Sequence, residues 1–207
     1  MEAPTIQTRR LTLRPFLDSD VEALVKDLMS QPDIMMNLSD ECATPSEQRT
    51  CASDYIDDYS SYWQTHHYGG WAVCARIDEL AEPGRLLGFC GYGPGQLQGE
   101  GAELAYAYGR AHWGKGIGTE VGRACLYWYF SVAGYERCYS CRHSWNDASR
   151  KIIEKLGFVY SRDEDLWGSL EKGHGLLSTY LLDSAAYLKI KSVSHRVNPS
   201  IIIGERS

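Results

Sequence analysis

A glycine-rich turn between a predicted strand and a predicted helix constrains this chain more than any other feature. Residues 102–108 form an apolar run typical of a buried strand, and a helical repeat of apolar residues begins at Ile117. Between them lie Gly114, Gly116 and Gly118. The first turn of a helix has unpaired N–H groups and the positive end of the dipole, and glycines let an anion approach the backbone. The turn is therefore predicted to bind a phosphate compound, and a pyrophosphate fits its length.

Two common nucleotide-binding patterns do not match this turn. The segment Gly109–Gly116 nearly fits the P-loop, but Gly116 replaces the serine or threonine that would bind Mg²⁺. The dinucleotide fingerprint needs a third glycine where Val121 stands. Close helix–strand packing alone would also explain three glycines. The turn by itself leaves the ligand open.

A second segment, about one βαβ unit further along the chain, narrows the choice. It reads Asn146-Asp-Ala-Ser149, followed by Glu154-Lys-Leu-Gly-Phe158. Together with Trp113-Gly-Lys-Gly-Ile-Gly-Thr-Glu120, it resembles the two cofactor motifs of the GNAT superfamily of N-acetyltransferases, in the same order and separation. The opening Thr8-Arg-Arg-Leu-Thr-Leu-Arg-Pro15 is similar to the first strand of the branch that acetylates ribosomal-protein N-termini. The resemblance covers roughly residues 8–185.

The order of predicted elements indicates one α/β domain spanning residues 1–207, with a core at about 8–185 and a C-terminal tail at 186–207. Strands are expected at 8–14, 71–77, 85–92, 102–108, 135–142, from 158 and at 176–182. Helices are expected from 18 or 19 to about 29, from a Thr44–Glu47 capping box to before Gly69, from the glycine turn, and at 147–156. The resemblance implies the α+β GNAT-like fold, a single mixed and mainly antiparallel sheet flanked by helices. In that fold the sheet splays between strands 102–108 and 135–142.

The resemblance implies acetyl-CoA as the cofactor. Backbone N–H groups of the turn would hold the pyrophosphate, and the residues concerned are Trp113, Gly114, Lys115, Gly116, Ile117, Gly118 and Thr119. The pantetheine arm would pair with Tyr106, Ala107 and Tyr108 and contact Asn146 and Ser149. The 3′-phosphate would meet Lys115, or Lys155 and Arg150.

Two residues are predicted to act in catalysis. Glu103 lies on the strand where several GNAT enzymes carry a general base, although a carboxylate there could equally hold the sheet or orient a water. Many family members place a proton-donating tyrosine where this chain has Ile153, and Ser149 matches a serine proposed for that task. A cofactor or capping contact is the alternative role of Ser149. The predicted reaction is direct attack of an amine on the thioester. A non-catalytic acyl-CoA-binding regulatory module is the alternative.

Composition sets the remaining expectations. A net charge of −6 and a pI near 5.5 argue against nucleic-acid or membrane partners. Seven scattered cysteines and the lack of a secretory signal predict reduced thiols in a cytoplasmic protein. Cys138 and Cys141 form a C-x-x-C motif, but a strand would point them to opposite faces, so no metal site is expected.

The acceptor is the least constrained part of the prediction. Aromatic and acidic residues cluster in and after the second predicted helix, and such a wall would suit a cation: Asp54, Tyr55, Asp57, Asp58, Tyr59, Tyr62, Trp63, Tyr68 and Trp71. Their helical spacing fits a core-facing stripe equally well. A small-molecule amine and a protein N-terminus both stay open as partners. The tail segment Ser200–Ile203 is an extra edge strand or an arm exchanged in a homodimer, so monomer and homodimer are both open.

Overall fold

The computed structural model describes residues 3–38, 42–193 and 202–203. These residues form nine strands: β1 (Ile6–Gln7), β2 (Leu11–Arg14), β3 (Gly70–Ala75), β4 (Leu86–Gly93), β5 (Ala102–Tyr108), β6 (Arg137–His143), β7 (Val159–Glu164), β8 (Leu177–Asp183) and β9 (Ile202–Ile203). The helices are α1 (Asp20–Leu24), α2 (Pro32–Met35), α3 (Pro45–Thr65), α4 (Ile117–Leu126), α5 (Asp147–Leu156) and α6 (Ser184–Val193). Helices α1 and α4 each continue into a π-helical turn, at Val25–Met29 and Tyr127–Val132.

All nine strands belong to one sheet in the order β7-β8-β6-β5-β4-β3-β2-β1-β9. The β5–β6 pair is parallel, and the other neighbouring pairs among the described residues are antiparallel. The parallel pair is joined through α4, as a crossover connection requires. The predicted mixed and mainly antiparallel sheet is confirmed.

Helices cover both faces of the sheet because its strands alternate in what they present to each side. On β3, Trp71 and Val73 pack in the cluster that contains α4 and α5, while Ala72 and Cys74 pack in the cluster that contains α1 to α3. Helix α3 begins with the predicted capping box. Thr44 accepts a hydrogen bond from the Glu47 amide, and the Glu47 carboxylate accepts one from the Thr44 amide.

The N-terminal strand is shorter than predicted. Residues 8–10 form a turn, in which the Thr8 amide donates to the Leu11 carbonyl at 2.9 Å and the Leu11 amide donates to Thr8 Oγ1 at 3.1 Å. The strand therefore begins at Leu11, and Ile6–Gln7 pairs with it as an antiparallel hairpin. A threonine side chain that bonds its own backbone favours a turn over an extended strand.

Beyond β8 the chain contains a helix that was not predicted. Asp183 Oδ1 accepts a hydrogen bond from the Ala186 amide at 2.7 Å, which is an N-terminal cap for α6. Tyr187 on this helix stacks on Phe130 with 4.9 Å between ring centroids. Strand β9 then pairs with β1 of the same chain, so Ile202–Ile203 supply the edge strand that was one of the two expectations. Residues 200 and 201 of the predicted segment lie outside the described residues.

The expectation that all cysteines are reduced is wrong for one pair. Cys42 and Cys51 form a disulfide, and the other five cysteines are free. The segment before α3 folds back onto the helix, where Gln48 donates a side-chain hydrogen bond to the Cys42 carbonyl at 3.3 Å. Cys138 and Cys141 lie on opposite faces of β6, and no metal-binding group occurs among the described residues.

Strands β3 and β4 approach each other closely at a pair of facing glycines. Gly70 of β3 pairs with Gly91 of β4, and a Cβ on Gly91 would lie 2.3 Å from the Gly70 Cα and 2.4 Å from the Gly69 carbonyl oxygen. Both obstacles are backbone atoms, so neither can move aside by rotating a side chain. We expect Gly91→Ala to lower the free energy of unfolding by about 2–3 kcal/mol through overpacking.

Gly93, two residues along the same strand, is the matched control. A Cβ there would meet only Tyr59 Cε1 at 3.9 Å, an ordinary contact. We expect Gly93→Ala to change the free energy of unfolding by less than about 1 kcal/mol. Denaturant titration of both variants measures the difference, and equal losses would contradict the close-approach argument.

Candidate active site

The sheet opens between β5 and β6. These strands share only two residue pairs, Ala102 with Cys138 and Glu103 with Tyr139. One further link follows, a 2.9 Å hydrogen bond from Ser140 Oγ to the Leu104 carbonyl, and the strands then part. A cavity of about 1000 Å³ opens where they separate. The expected splay is confirmed, and it sets where a ligand can enter the sheet.

The glycine turn forms one end of this cavity. Gly114 and Gly116 have φ angles of 74° and 75°, in the left-handed region that side chains disfavour. The Glu120 amide donates to the Gly116 carbonyl at 3.1 Å, so the amides of residues 117–119 precede the first helical hydrogen bond of α4. Residues Ile117, Gly118 and Thr119 all line the cavity. The turn therefore presents backbone N–H groups to the opening.

Most of the predicted cofactor residues are brought together here. The cavity-lining set includes Glu103, Tyr106, Ala107, Tyr108, Trp113, Gly114, Gly116, Ile117, Gly118, Thr119, Asn146 and Ser149. Lys115 is exposed and lies outside that set, with its carbonyl accepting a hydrogen bond from Arg10 at 3.0 Å. A Cβ on Gly118 would lie 2.8 Å from Ile152 Cδ1, so this glycine also allows α4 and α5 to pack closely.

An ion pair from the N-terminal hairpin fixes the turn. Glu120, in the first turn of α4, accepts hydrogen bonds from Thr8 Oγ1 at 2.6 Å, from the Arg10 amide at 3.0 Å and from Arg10 Nε at 2.7 Å. Burial opposes ionisation of this carboxyl, but the hydrogen bonds from Thr8 and Arg10 outweigh it and lower the Glu120 pKa. The turn at residues 8–10 of the N-terminal hairpin therefore supports the glycine turn directly.

The second motif faces the turn from α5. Asn146 Oδ1 accepts the Ser149 amide at 3.0 Å and caps the helix. Ser149 Oγ lies 2.9 Å from the hydroxyl of Tyr106 on β5. That hydrogen bond joins α5 to β5 across the splay. Sequence reasoning assigned only backbone contacts to Tyr106, so its hydroxyl is an addition from the structure.

Glu103 lies where β5 and β6 begin to separate. Its side chain is buried, and its two carboxylate oxygens accept hydrogen bonds from Cys141 Sγ at 2.9 Å and from the Tyr139 hydroxyl at 3.3 Å. Burial raises the Glu103 pKa, although these hydrogen bonds act in the opposite direction. A buried carboxyl with a raised pKa that lines a cavity is a suitable acceptor of a substrate proton.

Cationic side chains from α5 also line the cavity. Lys151 and Lys155 are one helical turn apart and both line the cavity. Arg150 instead forms ion pairs with Asp147 and Glu154 on the helix surface. Lys155 was predicted from sequence, and its i, i−4 partner Lys151 was missed although the spacing could have indicated it.

The opposite wall of the cavity comes from α3. The α3 residues that line the cavity are Asp54, Tyr55, Asp58, Tyr59 and Tyr62, among others, whereas Asp57 does not line it. The other aromatic residues of the predicted wall pack elsewhere, with Trp63 and Trp71 buried in the core and Tyr68 packed against it. Burial raises the Asp58 pKa, and repulsion from Asp54 and Asp57 raises it further. Part of the predicted acidic and aromatic wall therefore faces the cavity.

A model of the Acetyltransferase (GNAT) domain matches residues 10–159 of this chain. The chain belongs to the GNAT acetyltransferase family. YkkB of Bacillus subtilis (strain 168) is 30% identical over 169 residues, which cover 81% of this chain and 92% of YkkB. The family and the acyltransferase class inferred from the two motifs are thus confirmed.

Solved structures of two acetyltransferases share the fold. A proposed ribosomal-protein-serine acetyltransferase from Vibrio cholerae superposes with a TM-score of 0.67 at 17% identity, covering 86% of this chain and 97% of that one. The V. cholerae spermidine N-acetyltransferase in complex with CoA and spermine gives 0.64 at 16% identity, covering 86% and 98%. At such identities the likeness shows the fold alone.

Other features of this GNAT chain came only from the structure. Among the described residues, no helix has the length and apolar character needed to cross a bilayer.

The His143 ring stacks on Trp145 at 4.4 Å, and burial lowers the His143 pKa to about 4, so this cavity-lining imidazole is neutral at neutral pH. Trp167, from the loop between β7 and β8, also lines the cavity. Neither tryptophan belongs to a periodic pattern, so no sequence signal placed them here.

The hydrogen bonds and ion pair that Glu120 forms with Thr8 and Arg10 make a testable contribution to the stability of this GNAT fold. We expect Glu120→Gln to lower the free energy of unfolding at pH 7 by about 1–3 kcal/mol, because the replacement loses the charge that Arg10 faces. Because the Glu120 pKa is lowered in the folded state, its stabilisation exists above the ordinary value of about 4.3 and is lost as pH falls through the folded value. The difference between variant and parent should therefore vanish in acid.

The control is Glu154→Gln, which removes an exposed carboxylate paired with Arg150. Exposed pairs contribute little, so this variant should unfold like the parent at every pH. Chemical denaturation at several pH values makes the comparison. A constant difference between Glu120→Gln and the parent from pH 3 to pH 7 would rule out the linkage.

Proposed function

We propose that this protein is an acetyl-CoA-dependent N-acetyltransferase that acts on a primary amine by direct attack. One observation carries the proposal. The amides at the start of α4 and the carboxylate of Glu103 open onto the same cavity, at the point where β5 and β6 separate. An anion-binding turn and a buried base within one cavity are what a phosphate-bearing acyl donor and an amine acceptor require.

The residues present fit coenzyme A. The amides of Ile117, Gly118 and Thr119 would hold the pyrophosphate, and Lys151 and Lys155 would neutralise phosphate charge. The backbone of Tyr106–Tyr108 lies beyond the last β5–β6 pair, so it can bond an extended pantetheine arm like an added strand. Asn146 also lines the cavity. When bound, acetyl-CoA supplies the thioester carbon that the amine attacks.

Glu103 would accept the proton of the incoming amine. An ordinary alkyl ammonium has a pKa of about 10 and must lose a proton before it is nucleophilic. Because burial raises the Glu103 pKa, its carboxylate is a stronger base than an exposed glutamate. The burial that raises this pKa also keeps bulk water from competing for the carboxylate.

Ser149 would deliver a proton to the departing sulfur, and the second proton of the amine nitrogen, lost as the amide forms, would restore the Ser149 hydroxyl. The Tyr106 hydroxyl lies 2.9 Å from Ser149 Oγ. The α5 residues that line the cavity are Asp147, Ala148, Ser149, Lys151, Ile152 and Lys155, so Ser149 supplies the hydroxyl from this helix. Ile153, at the family tyrosine position, is fully buried in the core. A thiolate also leaves without assistance, since its pKa is near 8.5, so this role accelerates the reaction without being essential.

The α3 wall favours a cationic acceptor. Asp54 and Asp58 attract an ammonium, and Tyr55 and Tyr62 offer ring faces and hydroxyls beside them. The V. cholerae spermidine N-acetyltransferase, which shares this fold, was solved in complex with CoA and spermine. A small-molecule amine with a second positive charge therefore leads as acceptor, and a protein N-terminus followed by a basic residue is the second candidate.

The cofactor site is tested by adding one negative charge at the start of α4. Thr119 is half-buried and lines the cavity. We expect Thr119→Asp to weaken CoA binding by about 100-fold through repulsion of the phosphates. The fold should be unaffected, because an acidic residue is favourable in the first turn of a helix. Thr119→Asn has the same shape without the charge and should bind CoA nearly as the parent does. Calorimetric titration measures both, and equal affinities would place the phosphates elsewhere.

The acceptor site is tested by turnover on a panel of amines, with thiol release as the readout. We expect diamines and polyamines to be acetylated with a lower KM than monoamines of equal length. Asp58→Asn should raise the KM for diamines about tenfold and leave CoA affinity unchanged. Asp57→Asn removes the neighbouring carboxylate that does not line the cavity and should change KM little. Tight CoA binding without turnover on any amine would favour the non-catalytic acyl-CoA-binding module instead.

A further inference from the structure

We propose that Tyr139, Cys141 and Trp167 are positioning residues that hold Glu103 in the orientation required of a base. We call these three residues the donor cluster. The inference rests on the proposed role of Glu103 in catalysis. It assigns a purpose to one cysteine of the C-x-x-C motif and to the loop between β7 and β8.

The register of the two strands brings the donor cluster to Glu103. Glu103 of β5 lies opposite Tyr139 of β6 in the last residue pair before the strands separate. Side chains two residues apart on a strand share a face, so Tyr139 and Cys141 both point toward the same carboxylate. The distances are 2.9 Å from Cys141 Sγ to Oε1 and 3.3 Å from the Tyr139 hydroxyl to Oε2. Each carboxylate oxygen thus has its own donor.

Trp167 completes the donor cluster from the loop. Its side chain lies close enough to the carboxyl to lower the Glu103 pKa. The Trp167 backbone N–H donates to the side-chain oxygen of Gln96 at 2.7 Å. The backbone N–H of Gln96 in turn donates to the Tyr139 hydroxyl at 2.8 Å. Trp167 has a φ of 59°, a left-handed conformation that is costly for a bulky residue and persists only where surrounding contacts enforce it. The loop is therefore held beside the carboxylate through Gln96 and Tyr139.

The donors stay protonated while Glu103 titrates. Burial raises the pKa of the Tyr139 hydroxyl and of the Cys141 thiol, and the nearby Glu103 charge raises both further. Both groups therefore donate to the carboxylate throughout the neutral range. A donor that cannot ionise there stabilises the charged carboxylate without competing for its proton.

Other elements around Glu103 add few charges. Gly93 at the end of β4 and the following Pro94 line the cavity, and neither ionises. Helix α3 contributes Asp54 and Asp58 to the cavity wall, whereas Arg142 of β6 and Lys172 of the loop are cations that line the same cavity. Direct contacts to the carboxylate come from the neutral donor cluster, so its removal should dominate any change in how Glu103 titrates.

Cys138 provides a matched control within the same motif. It is buried, lies on the opposite face of β6 and packs into the main core. Cys138→Ala should lower stability by leaving a small cavity, without altering the environment of Glu103. The comparison distinguishes a variant that only destabilises the sheet from one that removes a hydrogen-bond donor to Glu103.

The first measurement is the pH dependence of kcat/KM. Removing a donor destabilises the charged carboxylate, which moves the acidic limb of the profile to higher pH. We expect a shift of about one pH unit for Cys141→Ala and a shift in the same direction for Trp167→Phe. Cys141→Ser supplies a hydroxyl donor and should return the limb close to that of the parent. Cys138→Ala should leave the limb unchanged.

The second measurement needs neither substrate nor cofactor. Glutamate labelled with ¹³C at the side-chain carboxyl gives a titration curve for Glu103, assigned by its absence in Glu103→Gln. The curve should move to higher pH in Cys141→Ala and return in Cys141→Ser. An unchanged midpoint in both Cys141→Ala and Trp167→Phe would overturn the inference.

Failure of the proposed function gives a different result. If Glu103→Gln keeps the parental kcat and the parental pH profile, Glu103 is not the base. The carboxyl titration would then still show whether the donor cluster controls Glu103. If Glu103→Gln loses the acidic limb but Cys141→Ala keeps it in place, the base is correct and the donor cluster is wrong.

Discussion

The early separation of β5 and β6 is the constraint on which the rest of the structure depends. After two residue pairs and the Ser140–Leu104 hydrogen bond, β5 and β6 no longer hydrogen-bond to each other. Unpaired backbone groups inside a sheet are costly unless a ligand or water satisfies them. A strand-like ligand arm can satisfy them, and the opening leads directly to the first turn of α4. The backbone geometry alone therefore favours an extended ligand that ends in an anion.

Contacts around the opening keep it at a fixed width. The Tyr106–Ser149 hydrogen bond spans β5 and α5, and the Glu120–Arg10 pair ties the start of α4 to the N-terminal hairpin. Close packing of α4 on α5 depends on glycine, since a Cβ on Gly122 would lie 2.5 Å from Leu156 Cδ1. These contacts come from distant parts of the chain, so the site forms only when the whole sheet has folded.

Whether a feature of the fold or the site could be predicted from the sequence depends on how far apart its interacting residues lie along the chain. The glycine turn, the α3 capping box and the Asn146 cap are local, and each was predictable because neighbouring residues determine it. The splay and the family fold came from two motifs at a characteristic separation. Helix α6 was missed although Asp183 provides a local cap signal. The Tyr106 hydroxyl and Trp167 could not be assigned, because their partners lie 43 and 71 residues away in sequence.

In the proposed reaction, the charge distribution along the cavity would separate binding of the acceptor from its activation. At one end, helix amides and lysines suit phosphates, and at the other, Asp54 and Asp58 suit an ammonium. Carboxylates that bind an ammonium also stabilise its charge, so they raise the pKa of the bound amine and oppose deprotonation. In the proposed reaction the nitrogen that reacts must therefore leave that wall for Glu103, whose contacts are neutral donors. An acceptor with two amines meets both demands, because one nitrogen stays charged at α3 while the other loses its proton at Glu103.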